Sequence, residues 1–290
     1  MNHRIVLTTI LMLVAAPALA QSTSDGVGHR GSGTLFSPTP REEMRPLSTD
    51  RPDQTESPYS VDPGHLQVES DVVSYAVTRA AGTTTSETHA MNMFIRIGLT
   101  EHIDAQVALL PLVVLRSKAT GQQAVGQQAN TRTGVGDTTV RLKVNLIGND
   151  DGAFALGVLP MVTLPTATRT ALGAGKLEYA FAIPMGLSAP GGFGFGAMPQ
   201  LDLVGGSKGG YVPEFTQTLT GGHALVGDLA AFTEVVTTVT FEGHTAASFE
   251  LHGGLTYSVG DDILVDAGAF STLVGSGDGL RLFLGLTVRR

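Results

Sequence analysis

The charged residues of this 290-residue chain recur at alternate positions between apolar ones, a spacing that puts them on one face of a sheet. The clearest stretch is DTTVRLKVNL at 137–146, where Arg141 and Lys143 alternate with Leu142 and Val144. Acidic and basic groups on one shared face form either ion pairs or an electrostatic filter. The predicted members of this polar face are Glu69, Asp71, Arg96, Asp104, Arg141, Lys143, Glu178, Asp202, Glu214, Glu234, Glu250, Asp266 and Arg281.

Period-two alternation does not by itself say what lies on either side of the sheet. An antiparallel sheet on a soluble core has one apolar and one polar face, and so does an outer-membrane barrel strand, which is apolar toward lipid and polar toward the lumen. Strand length favours the barrel, because soluble strands average about 5–6 residues. We predict longer strands at 66–77, 91–99, 103–114, 137–146, 153–164, 176–188, 193–204, 214–224, 229–239, 247–257, 263–270 and 280–289.

Predicted short turns and longer polar loops alternate along the chain. The short turns lie at 100–102, 148–152, 189–192, 226–228 and 260–262. The longest loop is predicted at 116–136. Bacterial outer-membrane barrels alternate short periplasmic turns with long extracellular loops, whereas a soluble sandwich has no reason to do so. The predicted fold class is therefore all-β, a transmembrane antiparallel up-and-down β-barrel of about 12 strands that occupies residues 65–290.

The first 20 residues have the three parts of a secretory signal peptide. Arg4 supplies a positive charge, residues 5–16 are apolar, and Ala18-Leu19-Ala20 forms an A-x-A cleavage site, so the mature chain is predicted to start at Gln21. A first transmembrane helix is the alternative, and the shortness of the apolar run disfavours it. We therefore predict export to the outer membrane of a Gram-negative cell.

Composition narrows the possible classes of protein. Mean hydropathy is +0.16, yet no apolar run after the N-terminus reaches the roughly 18 residues of a membrane-spanning helix. A barrel has this combination, because each of its strands is only half apolar. The absence of cysteine excludes a disulfide-rich scaffold. A net charge of −8 without any basic patch argues against nucleic acid as a partner.

Sequence motifs for catalysis, metals and cofactors are weak or missing. The GAGK stretch at 173–176 lacks the following Ser or Thr and the helix of a phosphate-binding loop, and neither H-E-x-x-H nor G-x-S-x-G occurs. His252 beside Glu250 is either an acid–base pair or an ordinary polar pair of the lumen. His223 is the candidate base of a lipid hydrolase, without an evident serine partner. We predict no enzyme, no cofactor and no metal site.

Five stretches together resemble one family of outer-membrane proteins. They are TDRPDQTESPYSVDPGHLQVES (49–70), MFIRIGLTEHIDAQVAL (93–109), GVGDTTVRLKVNL (134–146), VLPMVTLPT (158–166) and LHGGLTYSVGDDILVDAG (251–268). In this combination and order, they are similar to the outer-membrane "transporter" proteins named after the meta-pathway of phenol degradation. The resemblance covers the chain from about residue 49 to its C-terminus. It implies an outer-membrane barrel that moves small organic molecules, aromatic ones among them.

Residues 21–64 are rich in Gly, Ser, Thr and Pro and show no periodicity, so they are not expected to form a domain of their own. We expect residues 21–45 to be disordered. Two hypotheses stay open for residues 49–63. The segment is either a solvated periplasmic tail or a plug that folds back into the barrel mouth and narrows it.

The plug hypothesis makes specific pairing predictions for Asp50, Arg51 and Asp53. Arginine offers a planar, bidentate partner to carboxylates, so Arg51 is expected to pair with a lumen residue such as Glu69 or Glu234. The two aspartates are expected to face lumen bases. The candidate bases are Arg96, Arg141 and Arg281.

The polar face supports two functional hypotheses. Its nine carboxylates and four basic side chains would give a lumen a negative potential, which favours cations or neutral solutes over anions. A barrel of about 12 strands lies between filled 8-stranded barrels and open 16-stranded ones, so a narrow or partly plugged channel is expected. The alternative is a structural or lipid-modifying barrel without an open pore, in which the charges hold the strands in register. Expected partners are outer-membrane lipid, small solutes, and the export and barrel-assembly machinery.

Overall fold

The computed structural model describes residues 33–120, 128–275 and 277–290. The predicted signal peptide at 1–20 lies outside the described residues. So do residues 21–32 of the predicted polar segment and residues 121–127 of the longest predicted loop. No helix within the described ranges is both long and apolar enough to cross a membrane.

Regular structure in the described residues consists of fifteen β-strands and two short 3-10 helices, Arg41–Glu43 and Thr170–Leu172. The strands are β1 (Leu66–Ala80), β2 (Thr83–Thr100), β3 (Ile103–Leu109), β4 (Leu112–Ala119), β5 (Asn130–Gly134), β6 (Thr138–Ile147), β7 (Phe154–Leu164), β8 (Glu178–Ala182), β9 (Met185–Ala189), β10 (Phe193–Gly205), β11 (Tyr211–Val226), β12 (Leu229–Glu242), β13 (His244–Val259), β14 (Ile263–Val274) and β15 (Asp278–Arg289). All pairings between them are antiparallel among the described residues.

Fifteen segments form a barrel of twelve strands because three barrel strands are interrupted. The interruptions separate β3 from β4 at Leu110-Pro111, β5 from β6 at 135–137, and β8 from β9 at Ile183-Pro184. Proline has no N–H to donate to the ladder, which explains two of the three breaks. β8 and β9 each pair with both β7 and β10, so they occupy one strand position.

The sheet closes on itself because β1 pairs with both β2 and β15. With twelve strands, the start of β1 and the end of β15 lie at the same end of the barrel, which we name the terminal end. The opposite end is named the far end. The predicted fold, an all-β antiparallel up-and-down barrel of about 12 strands, is confirmed.

The strands extend farther at the far end than predicted. β1 and β2 continue to a turn at Ala81-Gly82, in place of the predicted loop over 78–90, and Gly243 alone joins β12 to β13. The TTTSET run at 83–88 explains the first extension, because threonine favours strands and its hydroxyl group tolerates water. Among the far-end connections, β4 is followed by 120–129 and β7 by 165–177, and the others span fewer residues. The predicted alternation of long loops with short turns is therefore wrong for the other far-end connections.

Burial in this barrel is the inverse of that in a water-soluble protein. Arg96, Lys143 and Glu69 have 0% of their surface exposed, whereas Leu282 and Leu284 on the outer face are 50% and 54% exposed. Water-soluble proteins almost never bury Lys, Arg or Glu completely unless these are paired. A polar interior inside an apolar outer band is the arrangement of a lipid-facing barrel.

Candidate functional site

The residues of the predicted polar face line the inside of the barrel. Their sequence neighbours point outward, as the exposed Leu177 and Tyr179 do on either side of Glu178. Five of the set are half-buried: Glu178, Asp202, Glu214, Glu250 and Arg281. The others are buried: Glu69, Asp71, Arg96, Asp104, Arg141, Lys143, Glu234 and Asp266.

Residues 49–63, which we name the lumen segment, lie inside the barrel, and wall carboxylates hold their backbone. Oε2 of Glu69 on β1 accepts the N–H groups of Asp50 and Arg51 at N–O distances of 2.8 and 3.1 Å. The segment has no regular secondary structure, so its buried N–H groups need partners outside it. Glu69 supplies these partners at the start of the segment.

A second wall carboxylate, Glu234 on β12, holds the next part of the lumen segment. It accepts the N–H groups of Gln54 and Thr55 at 2.9 and 2.7 Å and the hydroxyl group of Thr55 at 2.6 Å. Three strands, β15, β14 and β13, separate β12 from β1 on one side of the barrel. The segment therefore reaches across the interior from one wall to another.

The side chain of Asp50 sits among three basic groups of the wall. Its carboxylate lies 3.3 Å from Arg96 and 3.2 Å from Arg141, and it also pairs with Lys143. Burial alone would raise the pKa of Asp50, but the positive charges of Arg96, Lys143 and Arg141 hold that pKa well below its usual value. Asp50 is therefore negatively charged at neutral pH and compensates buried charges of β2 and β6.

Arg96 on β2 binds acceptors of both the wall and the lumen segment. Its guanidinium donates to Glu69 and to Asp104, both at 2.9 Å, and to the carbonyl of Tyr59 at 2.9 Å. With Asp50, three carboxylates and one segment carbonyl thus surround one buried cation. Removing the cation would leave several buried charges without their main partner.

Arg51 lies between two aspartates that belong to non-adjacent strands. Its guanidinium pairs with Asp71 on β1 and, at 2.7 Å, with Asp266 on β14. Gly285 on the intervening strand β15 is in register with both aspartates. A Cβ at Gly285 would collide with the guanidinium, so the glycine provides the space that Arg51 fills.

Two of the three plug candidates have partners that differ from the predicted ones. The Arg51 side chain pairs with neither Glu69 nor Glu234, because those carboxylates bind the segment backbone instead. Asp53 faces none of the predicted bases. The charged groups that act on it are Glu234 and Asp50, and burial together with Glu234 raises the pKa of Asp53 to about 7.

The chain before the lumen segment makes specific contacts at the terminal end. Nε of Arg45 donates to Asp62 at 2.7 Å, and Arg289 at the end of β15 donates to the carbonyl of Arg45 at 2.7 Å. The predicted disorder of residues 21–45 is therefore wrong for residues 33–45. Buried arginines supply the order that the composition of this stretch does not predict.

Sequence reasoning did not single out Arg45, Glu56 or Arg289 as interior residues. Glu56 pairs with Arg141 inside the barrel. The period-two pattern puts Arg289 on the same face of β15 as Arg281, although the predicted lumen set includes only Arg281. Arg45 and Glu56 belong to irregular chain, which has no periodicity to assign a face.

His252 is enclosed by two carboxylates and an aromatic ring. Its Nδ1 lies 2.7 Å from Glu234 and its Nε2 lies 3.0 Å from Glu250, while its ring stacks on Phe270 with centroids 3.7 Å apart. Both ring nitrogens are engaged, so neither is available to a substrate proton. The geometry favours an interior polar pair over an acid–base pair.

The other candidate for chemistry, His223, stacks on Phe193 with ring centroids 4.1 Å apart. Its Nδ1 lies 3.2 Å from the carbonyl oxygen of Gly192. Neither contact brings a serine to the imidazole, so the hydrolase hypothesis gains no support from this geometry. Within the described ranges, no group of three or more His, Cys, Asp or Glu side chains is placed to hold a metal ion.

Three cavities lie along the lumen segment. The far cavity, of about 380 Å³, is lined by residues that include Arg51, Asp53, Glu56, Phe94, Phe270 and Arg281. The middle cavity, of about 280 Å³, is lined by residues that include Asp53, Glu56, Tyr59, Gly186, Gly194 and Gly196. The terminal cavity, of about 390 Å³, is lined by residues that include Arg45, Tyr59, Asp62, Asn149, Ser188 and Arg289.

Solved outer-membrane barrels resemble this structure. An outer membrane channel from Pseudomonas putida F1 has a TM-score of 0.60 at 13% sequence identity, and the match covers 84% of this chain and 100% of that chain. The NanC porin has a TM-score of 0.50 at 10% identity, and the match covers 77% of this chain and 98% of that chain. At these identities, the likeness establishes a shared barrel fold.

A family model matches residues 49–281, from the first residue of the lumen segment into β15. No curated protein matches the chain. The matched region includes the lumen segment as well as most of the wall, so the segment is part of the family's sequence pattern. The chain belongs to the family described as MetA-pathway of phenol degradation.

Proposed function

We propose that this protein is an outer-membrane channel for small organic solutes and that its lumen segment narrows the pore. The observation that carries the proposal is the inverted burial, with charged side chains inside and exposed leucines outside. A basic residue on the lipid side costs about 2–4 kcal/mol at the midplane, so the charges belong in the lumen. Cavities on both sides of the lumen segment leave room for small solutes.

In this proposal, the terminal end faces the periplasm and the far end faces the outside of the cell. Bacterial barrels carry their long loops outside the cell, and the two longest connections, after β4 and after β7, both lie at the far end. Export would use the signal peptide at 1–20, and insertion would use the barrel-assembly machinery. The outer surface would then contact outer-membrane lipid.

Interior charge supports a preference for cations and neutral solutes over anions. The basic residues of the wall are committed to ion pairs, as Arg96 is with Glu69 and Asp104. Asp202 and Glu214 are cross-strand neighbours, so they add negative charge on the side of β10 and β11. A lumen of one dominant sign concentrates ions of the opposite sign.

The far cavity supports the proposal that aromatic molecules are among the solutes. Phe94, Phe270 and Phe283 line it, and aromatic rings offer flat apolar surfaces for stacking. Asn92 and Arg281 line the same cavity and supply polar contacts. A small ring with one polar substituent fits this combination.

Planar-bilayer recording of the purified protein tests the proposal. Discrete conductance steps are expected, with a reversal potential in a salt gradient that indicates cation preference. Gel mobility with and without boiling provides the control, because a folded barrel migrates differently before heating. A folded, inserted protein that stays electrically silent would favour the structural or lipid-modifying barrel. Clear anion selectivity would contradict the charge argument.

A further inference from the structure

One side of the lumen segment is filled by side chains. Toward β1, β2, β3 and β6, its contacts run through Glu69, Arg96, Asp104 and Lys143, which are all 0% exposed. Toward β9, β10 and β11, Thr55 contacts the hydroxyl group of Thr218 at 2.6 Å, and the rest of this side faces the middle cavity. A solute that moves past the segment therefore has space on this second side.

The three cavities share lining residues along the lumen segment. Asp53 and Glu56 line both the far cavity and the middle cavity. Tyr59 and Ser188 line both the middle cavity and the terminal cavity. The cavities are therefore neighbours along the lumen segment, and side chains of the segment stand between them.

Glycines keep the wall of the middle cavity thin. Gly186 on β9, Gly194 and Gly196 on β10, and Gly222 on β11 all line it. A Cβ added at Gly194 would meet no atom within 4 Å, so it would enter open space. A Cβ at Gly186 or Gly196 would instead press on Pro58 or Thr55, so these two glycines let the lumen segment approach the wall closely.

The side chains shared by the far and middle cavities are acidic. None of the described residues that line the middle cavity is Lys, Arg or His. Glu56 pairs with Arg141, so its loss would leave the positive charge of Arg141 at the junction. Asp53 has Glu234 as its strongest charged neighbour, so its own charge is not compensated in this way.

We propose that solutes cross the barrel through these neighbouring cavities, named the side passage, and that Asp53 and Glu56 select small organic cations over anions where the far and middle cavities meet. The inference rests on the proposed channel function and assigns its selectivity to two residues of the lumen segment. Cations gain from a carboxylate pair in a narrow space of low dielectric constant, whereas anions are repelled by it.

Reversal potentials of D53N and E56Q, measured in gradients of KCl and of tetramethylammonium chloride, test the selectivity. We expect the permeability ratio of cation to anion to fall roughly threefold or more in each variant, because a fixed charge in a cleft sets the local ion concentration. D228N is the matched control, since Asp228 is exposed in a terminal-end turn outside the three cavities. Unchanged ratios in both lumen variants would overturn the assignment.

Single-cysteine variants test the passage itself, because the native chain contains no cysteine. A methanethiosulfonate that carries a trimethylammonium group should label G194C and reduce its conductance by about half or more, since a bulky cation then occupies the cavity. L201C, on the exposed outer face of the same strand, is the control and should show no change. Full labelling of G194C, verified by mass, with unchanged conductance would overturn the side passage.

The experiments separate this inference from the proposed function. A wild-type protein that is folded but does not conduct contradicts the channel itself. A wild-type protein that conducts, with D53N, E56Q and labelled G194C behaving like it, contradicts only the side passage and leaves the channel in place.

Discussion

The two halves of the barrel wall treat the lumen segment differently. On the half formed by β1, β2, β3 and β6, Glu69, Arg96 and Lys143 bind it through a buried network. On the half formed by β9, β10 and β11, Gly186, Gly194 and other small residues leave a cavity beside it. The same period-two pattern builds both halves, so side-chain size and charge decide where a charged network binds the segment and where a cavity remains beside it.

The difference between the two halves of the wall predicts the largest loss of stability for a substitution at Arg96. Arg96→Leu leaves Glu69 and Asp104 buried without their main cation, which should reduce the free energy of unfolding by about 3–5 kcal/mol. Arg281→Leu is the control, because Arg281 is one-third exposed and its partner Asp71 keeps Arg51. Urea unfolding in lipid vesicles measures both. Equal losses of unfolding free energy would contradict a special role for the half formed by β1, β2, β3 and β6.

A smaller effect is expected at Gly98 on β2. A Cβ at this position would collide with the carbonyl group of Asp62, a backbone atom that cannot rotate away. Gly98→Ala should therefore reduce unfolding free energy by about 1–3 kcal/mol. Gly222→Ala on β11 is the control, since Gly222 lines the middle cavity and its Cβ would lie at an ordinary 3.6 Å from the carbonyl oxygen of Ala231. Similar costs at both sites would remove the distinction between the halves.

Amide hydrogen exchange measures how firmly each part of the lumen segment is bound to the wall. Glu234→Gln removes the charged acceptor of the Thr55 N–H group, so exchange at Thr55 should accelerate by an amount equivalent to about 1–2 kcal/mol. The Asp50 N–H group is held by Glu69 and should keep its protection. Equal acceleration at both amides would indicate that the segment leaves the barrel as one unit.

The pH dependence of ion selectivity tests the role of Asp53, which lines the middle cavity. Burial and the charge of Glu234 raise the pKa of Asp53 to about 7, with Asp50 adding a smaller effect and Thr220 opposing it by hydrogen bonding. Protonation removes the negative charge, so cation preference should fall as pH decreases from about 8 to about 5. The fall should be weaker in D53N. An identical pH profile in wild type and D53N would show that another group is responsible.

The smallest effect is expected at the exposed ion pair between Arg41 and Asp262 at the terminal end. Arg41 is 66% exposed, so solvent and salt screen the pair. Arg41→Ala should change the free energy of unfolding by less than about 0.5 kcal/mol. A loss comparable to that of Arg96→Leu would mean that the residues before the lumen segment also fix it in place.

The sequence was sufficient for those features that depend on local alternation. Each of the thirteen predicted wall residues, Asp71 and Asp266 among them, lies on the inner face, because a period of two assigns a face without knowledge of the partner strand. The pairing of Arg51 with both aspartates was not predictable in this way. It depends on the register of β1, β15 and β14 around Gly285, and register between strands is not contained in one strand's pattern.

Prediction from sequence was also limited for segments without regular secondary structure. Asp50 and Asp53 have similar sequence surroundings, yet three bases surround Asp50 while Glu234 lies beside Asp53. Without periodicity, the sequence does not assign the two side chains to different walls. The far-end extension of β1 and β2 was missed because its threonines are polar on both faces.

The central claim is that the lumen segment occupies and narrows the pore, and deletion of residues 49–59 tests it most directly. The deletion removes Asp50 and Arg51 with their contacts but leaves the wall intact. Single-channel conductance of the deleted protein, with its fold verified by gel mobility before and after boiling, should be several times that of the intact protein. Unchanged conductance in a properly folded deletion variant would contradict the account.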